Sequence, residues 1–170
     1  KRIKNEEFIR MAKILKKYGI QIYTSSIFVY PGETFEDALS TVELQHQMGT
    51  DHPFSSYLIP YPNTEIWKTS IESGSIPSDY YFADIPQSYF IKSSVNIPDK
   101  KRVANVYKLY YFLVRHKKFF AFIKSHKRVI NLIPFLDLIN YLGIFLWFKN
   151  WRNYTLWGVI KYFLRFRKDR

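Results

Sequence analysis

Cysteine is missing altogether from the 170 residues of this chain. That excludes disulfides, thiolate zinc sites and iron–sulfur clusters held by the chain's own residues. It leaves the compartment open. Glycine (6) and proline (8) are too few for a collagen-like or linker chain, and 19% aromatic content excludes a disordered one. The four histidines, His46, His52, His116 and His126, stand at no metal-ligand spacing, and no nucleophile–base motif occurs. A signal-peptide pattern is also missing. The chain opens at Lys1 in a polar run that leads straight into a helical pattern, so its start reads as a truncation. The cytoplasm is the expected compartment, where the Asn153-Tyr154-Thr155 sequon would go unused. Acidic residues are scarce in one half only. Residues 1–98 hold nine Lys and Arg against eleven Asp and Glu, whereas residues 99–170 hold seventeen against three. The overall charge of +12 therefore belongs to the second half.

What is present suffices for one ordinary domain with a real core, at 47% hydrophobic content. Asn5 is a natural cap for a first helix, with Glu6 and Glu7 in its first turn. Phe8, Met11, Ala12, Leu15 and Tyr18 lie on one face, and Gly19 ends it. Ile20 to Tyr30, rich in β-branched and aromatic residues, predicts a strand closed by Pro31-Gly32. Thr34 with Asp37 makes a capping-box pair for a second helix, which Gly49 ends. Phe54 to Ile59 predicts a second strand, closed by Pro60-Tyr61-Pro62-Asn63, and Thr64 caps a short third helix running to Gly74. Such alternation argues for parallel strands joined by crossovers. Two strands leave unpaired edges, so further strands are expected upstream, and poor solubility with them. Residues 76–98 read as a linker, with Pro77, Pro86 and Pro98. Asp99 caps a basic helix with Val103, Val106, Tyr107, Tyr110 and Leu113 on one face, and a last basic, aromatic helix spans about Thr155 to Arg167.

In parallel α/β folds, function gathers where strands end. Ile27 to Thr34 occupies such an end. Gly32 lets backbone approach a ligand, and Glu33 either accepts hydrogen bonds from a ligand or holds the turn and helix N-terminus. Ser55 to Thr64 is a second such end, and it also fits an ordinary strand–helix loop.

Gly19-Ile20 through Tyr23-Thr24, then Pro31-Gly32-Glu33-Thr34 with Glu36-Asp37-Ala38, then Pro60-Tyr61-Pro62-Asn63-Thr64-Glu65, together resemble the late barrel segments of radical S-adenosylmethionine (radical SAM) proteins. The likeness is to those with an N-terminal cobalamin-binding domain, and it covers roughly residues 5–110. The resemblance implies the C-terminal part of a partial (β/α) TIM-like barrel over residues 1–75, followed by an α-helical basic, aromatic tail over residues 99–170. It implies a 4Fe-4S cluster on a CxxxCxxC loop outside this chain, S-adenosylmethionine as cofactor, cobalamin in the parent, and a reductant protein as partner. Ile27, Pro31, Gly32 and Glu33 would support the adenosyl group, and Tyr57, Ile59 and Pro60 would line the next strand end. Ser25, Val29 and Asn63 stand where the family has glycines, and Val29 would crowd the cofactor. The substrate class is small or lipid-like; methylation, cyclisation and rearrangement all stay open.

The basic half has several readings: a peripheral surface on an anionic membrane, with Trp147, Trp151, Tyr154, Trp157 and Tyr162 at the interface; a helical extension packed on the rest; or a nucleic-acid surface, the least favoured of the three. Val129 to Phe148 has spanning length, yet Pro134, Asp137 and two asparagines argue against a simple transmembrane helix. A non-catalytic, basic membrane- or partner-binding module is the alternative to the enzyme.

Overall fold

The structure, a computed structural model, describes residues 3–152. The expected helix over Thr155 to Arg167 and the interface aromatics Tyr154, Trp157 and Tyr162 lie outside these residues, and the side chain of Trp151 is likewise not described. The elements run α1 (Asn5–Lys17), β1 (Tyr23–Phe28), α2 (Phe35–Met48), β2 (His52–Tyr57), α3 (Glu65–Glu72), α4 (Lys100–Arg115), α5 (Lys117–Ser125) and α6 (Leu136–Arg152). Short 3-10 turns lie at Phe82–Asp84 and Val129–Asn131.

Local chemistry places the helix ends. Glu7 accepts from the Lys4 N–H at 3.4 Å, so α1 is capped one residue earlier than Asn5. Thr34 and Asp37 form the expected reciprocal pair at the start of α2. Gly49 ends α2 with φ 65°, a conformation open to glycine at no steric cost. Gly49→Ala should therefore lower stability by about 1 kcal/mol, read as a lower urea midpoint with unchanged slope.

The two strands pair in parallel with Tyr23 opposite His52 and Phe28 opposite Tyr57. Asp51 anchors the start of the pair: it accepts from the Ile22 N–H at 2.7 Å and is bonded to Lys16 of α1. Along β1 the faces alternate. Thr24, Ser26 and Phe28 turn inward, while Tyr23, Ser25 and Ile27 are exposed. The inner face rests on α2 and α4. Phe28 meets the rings of Tyr107 and Tyr110 edge-on at 6.0 and 5.2 Å, and the Ser26 hydroxyl bonds Tyr110 Oη at 2.8 Å. Burial, partly offset by that bond, pushes the Tyr110 phenol up to about 12.

The expected partial TIM-like barrel is not found. Among the described residues the molecule is mostly helical, and its open sheet has two strands. The physical reason lies in what closes the sheet. The Tyr57 N–H donates to the Tyr89 carbonyl at 2.8 Å, so a loop segment takes up part of the outer edge of β2. Phe54 of β2 packs on Phe90 and Trp147. The core is then completed by α4, with Val103, Val106, Leu109 and Leu113 all at 2% exposure or less. Ile76, Tyr80, Val95 and Ile97, from the proline-bearing stretch before α4, belong to the same core cluster. Helix–strand alternation predicts crossover connections; it does not count strands.

Candidate functional site

The site is built at the end of β1, where the chain leaves the sheet. Extended backbone would send Val29 outward after the inward Phe28. Instead Val29 takes φ 64°, which breaks the alternation and buries both residues completely. A β-branched residue in this region costs on the order of 1–3 kcal/mol and persists only where its surroundings over-determine it. Two features do so. The Val29 side chain sits in the core cluster, and its N–H donates to Glu33 Oε2 at 2.5 Å. The same carboxylate oxygen accepts from Tyr30 N–H at 3.0 Å, and the Glu33 N–H returns to the Tyr30 carbonyl at 2.8 Å.

Glu33 is thus committed to holding the turn. Burial is the largest influence on its carboxyl and raises its pKa; the Tyr30 and Val29 amides oppose this, and the nearby Asp37 charge adds to it. Since Val29 points into the core, it does not crowd the exposed face of β1. What remains on that face is Ser25, Ile27 (55% exposed) and, across the pair, the half-buried Ser56. Gly32 has φ 81° and open space where a Cβ would project. The strand end thus offers an exposed apolar side chain at Ile27 and accessible backbone at Gly32.

The residues expected from sequence divide between two environments. Ile27 and Gly32 are exposed, and Pro31 and Glu33 are half-buried. Tyr57, Ile59 and Pro60 are buried, with Tyr57 lying 3.9 Å from the Tyr107 ring and its phenol raised by burial. The second turn repeats the device of the first: Asn63, where the second turn was expected to hold glycine, has φ 69°. Thr64 then caps α3 by accepting from the Trp67 N–H at 3.3 Å. Tyr30, half exposed at the tip of the first turn, was not singled out from sequence. An aromatic before Pro-Gly was the available signal.

The chain has no cysteine, and among the described residues no group of three or more His, Asp or Glu is arranged to hold a metal ion. The residues here therefore do not fit an iron–sulfur cluster, whose ligands would have to come from outside the chain, and nothing in them supports a cobalamin site. An adenosyl group is a better fit to the apolar Ile27 and the open backbone at Gly32.

Over 71 residues the chain is 30% identical to an uncharacterized methyltransferase of Pyrococcus horikoshii, a match that covers 42% of this chain and 16% of that protein. The chain thus spans a minor part of the length of this relative. No family model matches the chain, and no solved structure matches it.

Proposed function

We propose that this chain forms the adenosyl- and substrate-side part of a larger S-adenosylmethionine-dependent enzyme, of the radical type, acting on a hydrophobic substrate. The observation that carries the reading is the strand-end turn. Of the three positions expected to hold glycine, Val29 and Asn63 take the backbone conformation that glycine favours, whereas Ser25 stays in the strand, and Gly32 leaves the backbone open. Similarity to an uncharacterized methyltransferase supports use of the same cofactor. When bound, S-adenosylmethionine would supply the activated carbon–sulfur bond. Ile27 would pack against the adenosyl group, the backbone at Gly32 would approach it, and Glu33 would hold the turn in shape without touching it.

Binding tests this directly. Titration with S-adenosylhomocysteine should shift the backbone amide resonances of residues 27–33, and Ile27→Asp should weaken the affinity about tenfold or more. Ile27 is exposed, so the substitution leaves the fold intact. Shifts confined to other parts of the chain, or no shift at millimolar ligand, would sink the proposal.

We further propose that the basic half meets an anionic membrane surface. Its seventeen Lys and Arg against three acids would gain about 1 kcal/mol for each cation held near the lipid headgroups. Among the described residues, no helix is long and apolar enough to cross a membrane.

A further inference from the structure

The segment leading into α6 and the first turns of that helix are apolar on two sides. Ile133, Leu136 and Ile139 pack against the core cluster. Leu132, Phe135, Leu138 and Leu142 face away from it, at 76, 77, 68 and 48% exposure. Phe135, Leu138 and Leu142 follow helical spacing and share one face. An exposed cluster of large apolar side chains marks a contact site, and this side is bare. Phe135 adds a second anomaly. It has φ 54°, and its carbonyl starts α6 by accepting from the Ile139 N–H at 3.0 Å. A phenylalanine held there is strained and recovers little by burial within the chain.

The surrounding charge indicates what covers this tip. Lys127 and Arg128 immediately precede it, and both are exposed. Asp137 is the one acidic residue in residues 126–142, and it is paired with Lys108 at 2.7 Å. Lys127 is paired with Glu36 at 2.7 Å, and Lys124 of α5 with Glu43 at 2.8 Å, so part of the positive charge is already matched. The remainder belongs to a half of the chain with a large cationic excess. Three of the four exposed side chains are leucines, which offer no stacking face for bases, and this turns the choice from nucleic acid to lipid.

We infer that Leu132, Phe135 and Leu138 form a wedge that enters the headgroup–acyl boundary of an anionic bilayer, while Arg128 stays among the headgroups. The inference rests on the membrane-surface reading above and locates its contact.

The test is co-sedimentation of the full chain with phosphatidylcholine vesicles containing about one-quarter phosphatidylserine. The native chain should bind these and ignore pure phosphatidylcholine. The pair Phe135→Ser and Leu138→Ser should weaken binding about a hundredfold, with circular dichroism and melting unchanged. Arg128→Gln should weaken it about fivefold. Undiminished binding by the Ser pair would overturn the wedge and leave the surface reading standing on charge alone. Absence of binding by the native chain would overturn both. Concentration-dependent self-association without lipid, abolished in the Ser pair, would assign the tip to a second copy of the chain and also overturn the wedge.

Discussion

Phe28→Ala should destabilise the molecule by about 3–5 kcal/mol, the usual cost of emptying an aromatic site in a packed core. Total stability in domains of this size is about 5–15 kcal/mol, so the loss takes a large share. The reasons are positional. Phe28 is the last residue of β1 and is fully buried. With Ser26 it joins the strand to α4, the Tyr107 and Tyr110 rings lying edge-on against it. Those rings come from a rigid helix and cannot collapse into the void, which places the cost toward the upper part of the range. Val29 would be undermined as well, because its left-handed backbone is tolerated only while the adjoining core is full. Urea denaturation followed by circular dichroism would read the effect as a lower midpoint at unchanged slope. A change smaller than about 1 kcal/mol would mean that α4 does not close on the sheet as described.

The second large effect concerns Glu33. Glu33→Ala removes the acceptor for the Val29 and Tyr30 amides. A buried donor left without a partner costs about 1–3 kcal/mol, and the turn strained at Val29 loses its clamp. Glu33→Gln keeps an oxygen in place without the charge, so its cost should be much smaller, and its pH dependence is diagnostic. Burial raises the folded-state pKa of Glu33 above its ordinary value of 4.5. The folded chain therefore holds this proton more tightly than the unfolded chain. The stabilisation that follows is complete below about pH 4.5 and is lost as pH rises through the folded-state pKa. Relative to native, Glu33→Gln should gain stability as pH climbs from about 4.5 toward neutrality. A flat difference curve would show that the amides cancel burial, and one that slopes the other way that they outweigh it. The comparison must be made as a difference, because Asp37, held below its ordinary range by the Thr34 hydroxyl and amide, gives the native chain an opposing slope at lower pH.

Much of the helical frame was legible because its signals are local. The face Val103, Val106, Tyr107, Tyr110, Leu113 repeats every three to four residues and is buried as that period requires. Thr34 and Thr64 cap through bonds that span three residues. The sheet was less legible. Tyr23-Thr24-Ser25-Ser26-Ile27-Phe28 does not alternate polar with apolar, so nothing in it tells which face is covered. The number of strands was not legible at all, because it depends on whether a later loop or helix reaches the sheet first. Here Tyr89 and α4 do so. At the site, the turn position and Glu33 could be found from Pro31-Gly32 and the helix start. That Val29 would turn inward could not, since extended backbone predicts the opposite face and only the positive φ reverses it. The burial of Tyr57 depends in turn on Tyr107, far along the chain.

Asp99 joins the two compositional halves. It stands at the start of α4, as its cap position in the sequence predicts, yet its side chain makes no capping hydrogen bond there and pairs with Arg102 at 3.7 Å. Its carboxylate instead accepts from the Phe35 N–H of α2 at 3.3 Å, while Arg102 lies over the Phe35 ring at 3.9 Å. The first turn of an early helix is thus finished by the opening residues of a much later one. The break in charge near residue 98 is consequently not a seam along which the molecule could be divided. A cut there would strip α2 of this contact and lay the inner face of the sheet open to water. The acidic and basic halves stand or fall as one cooperative body.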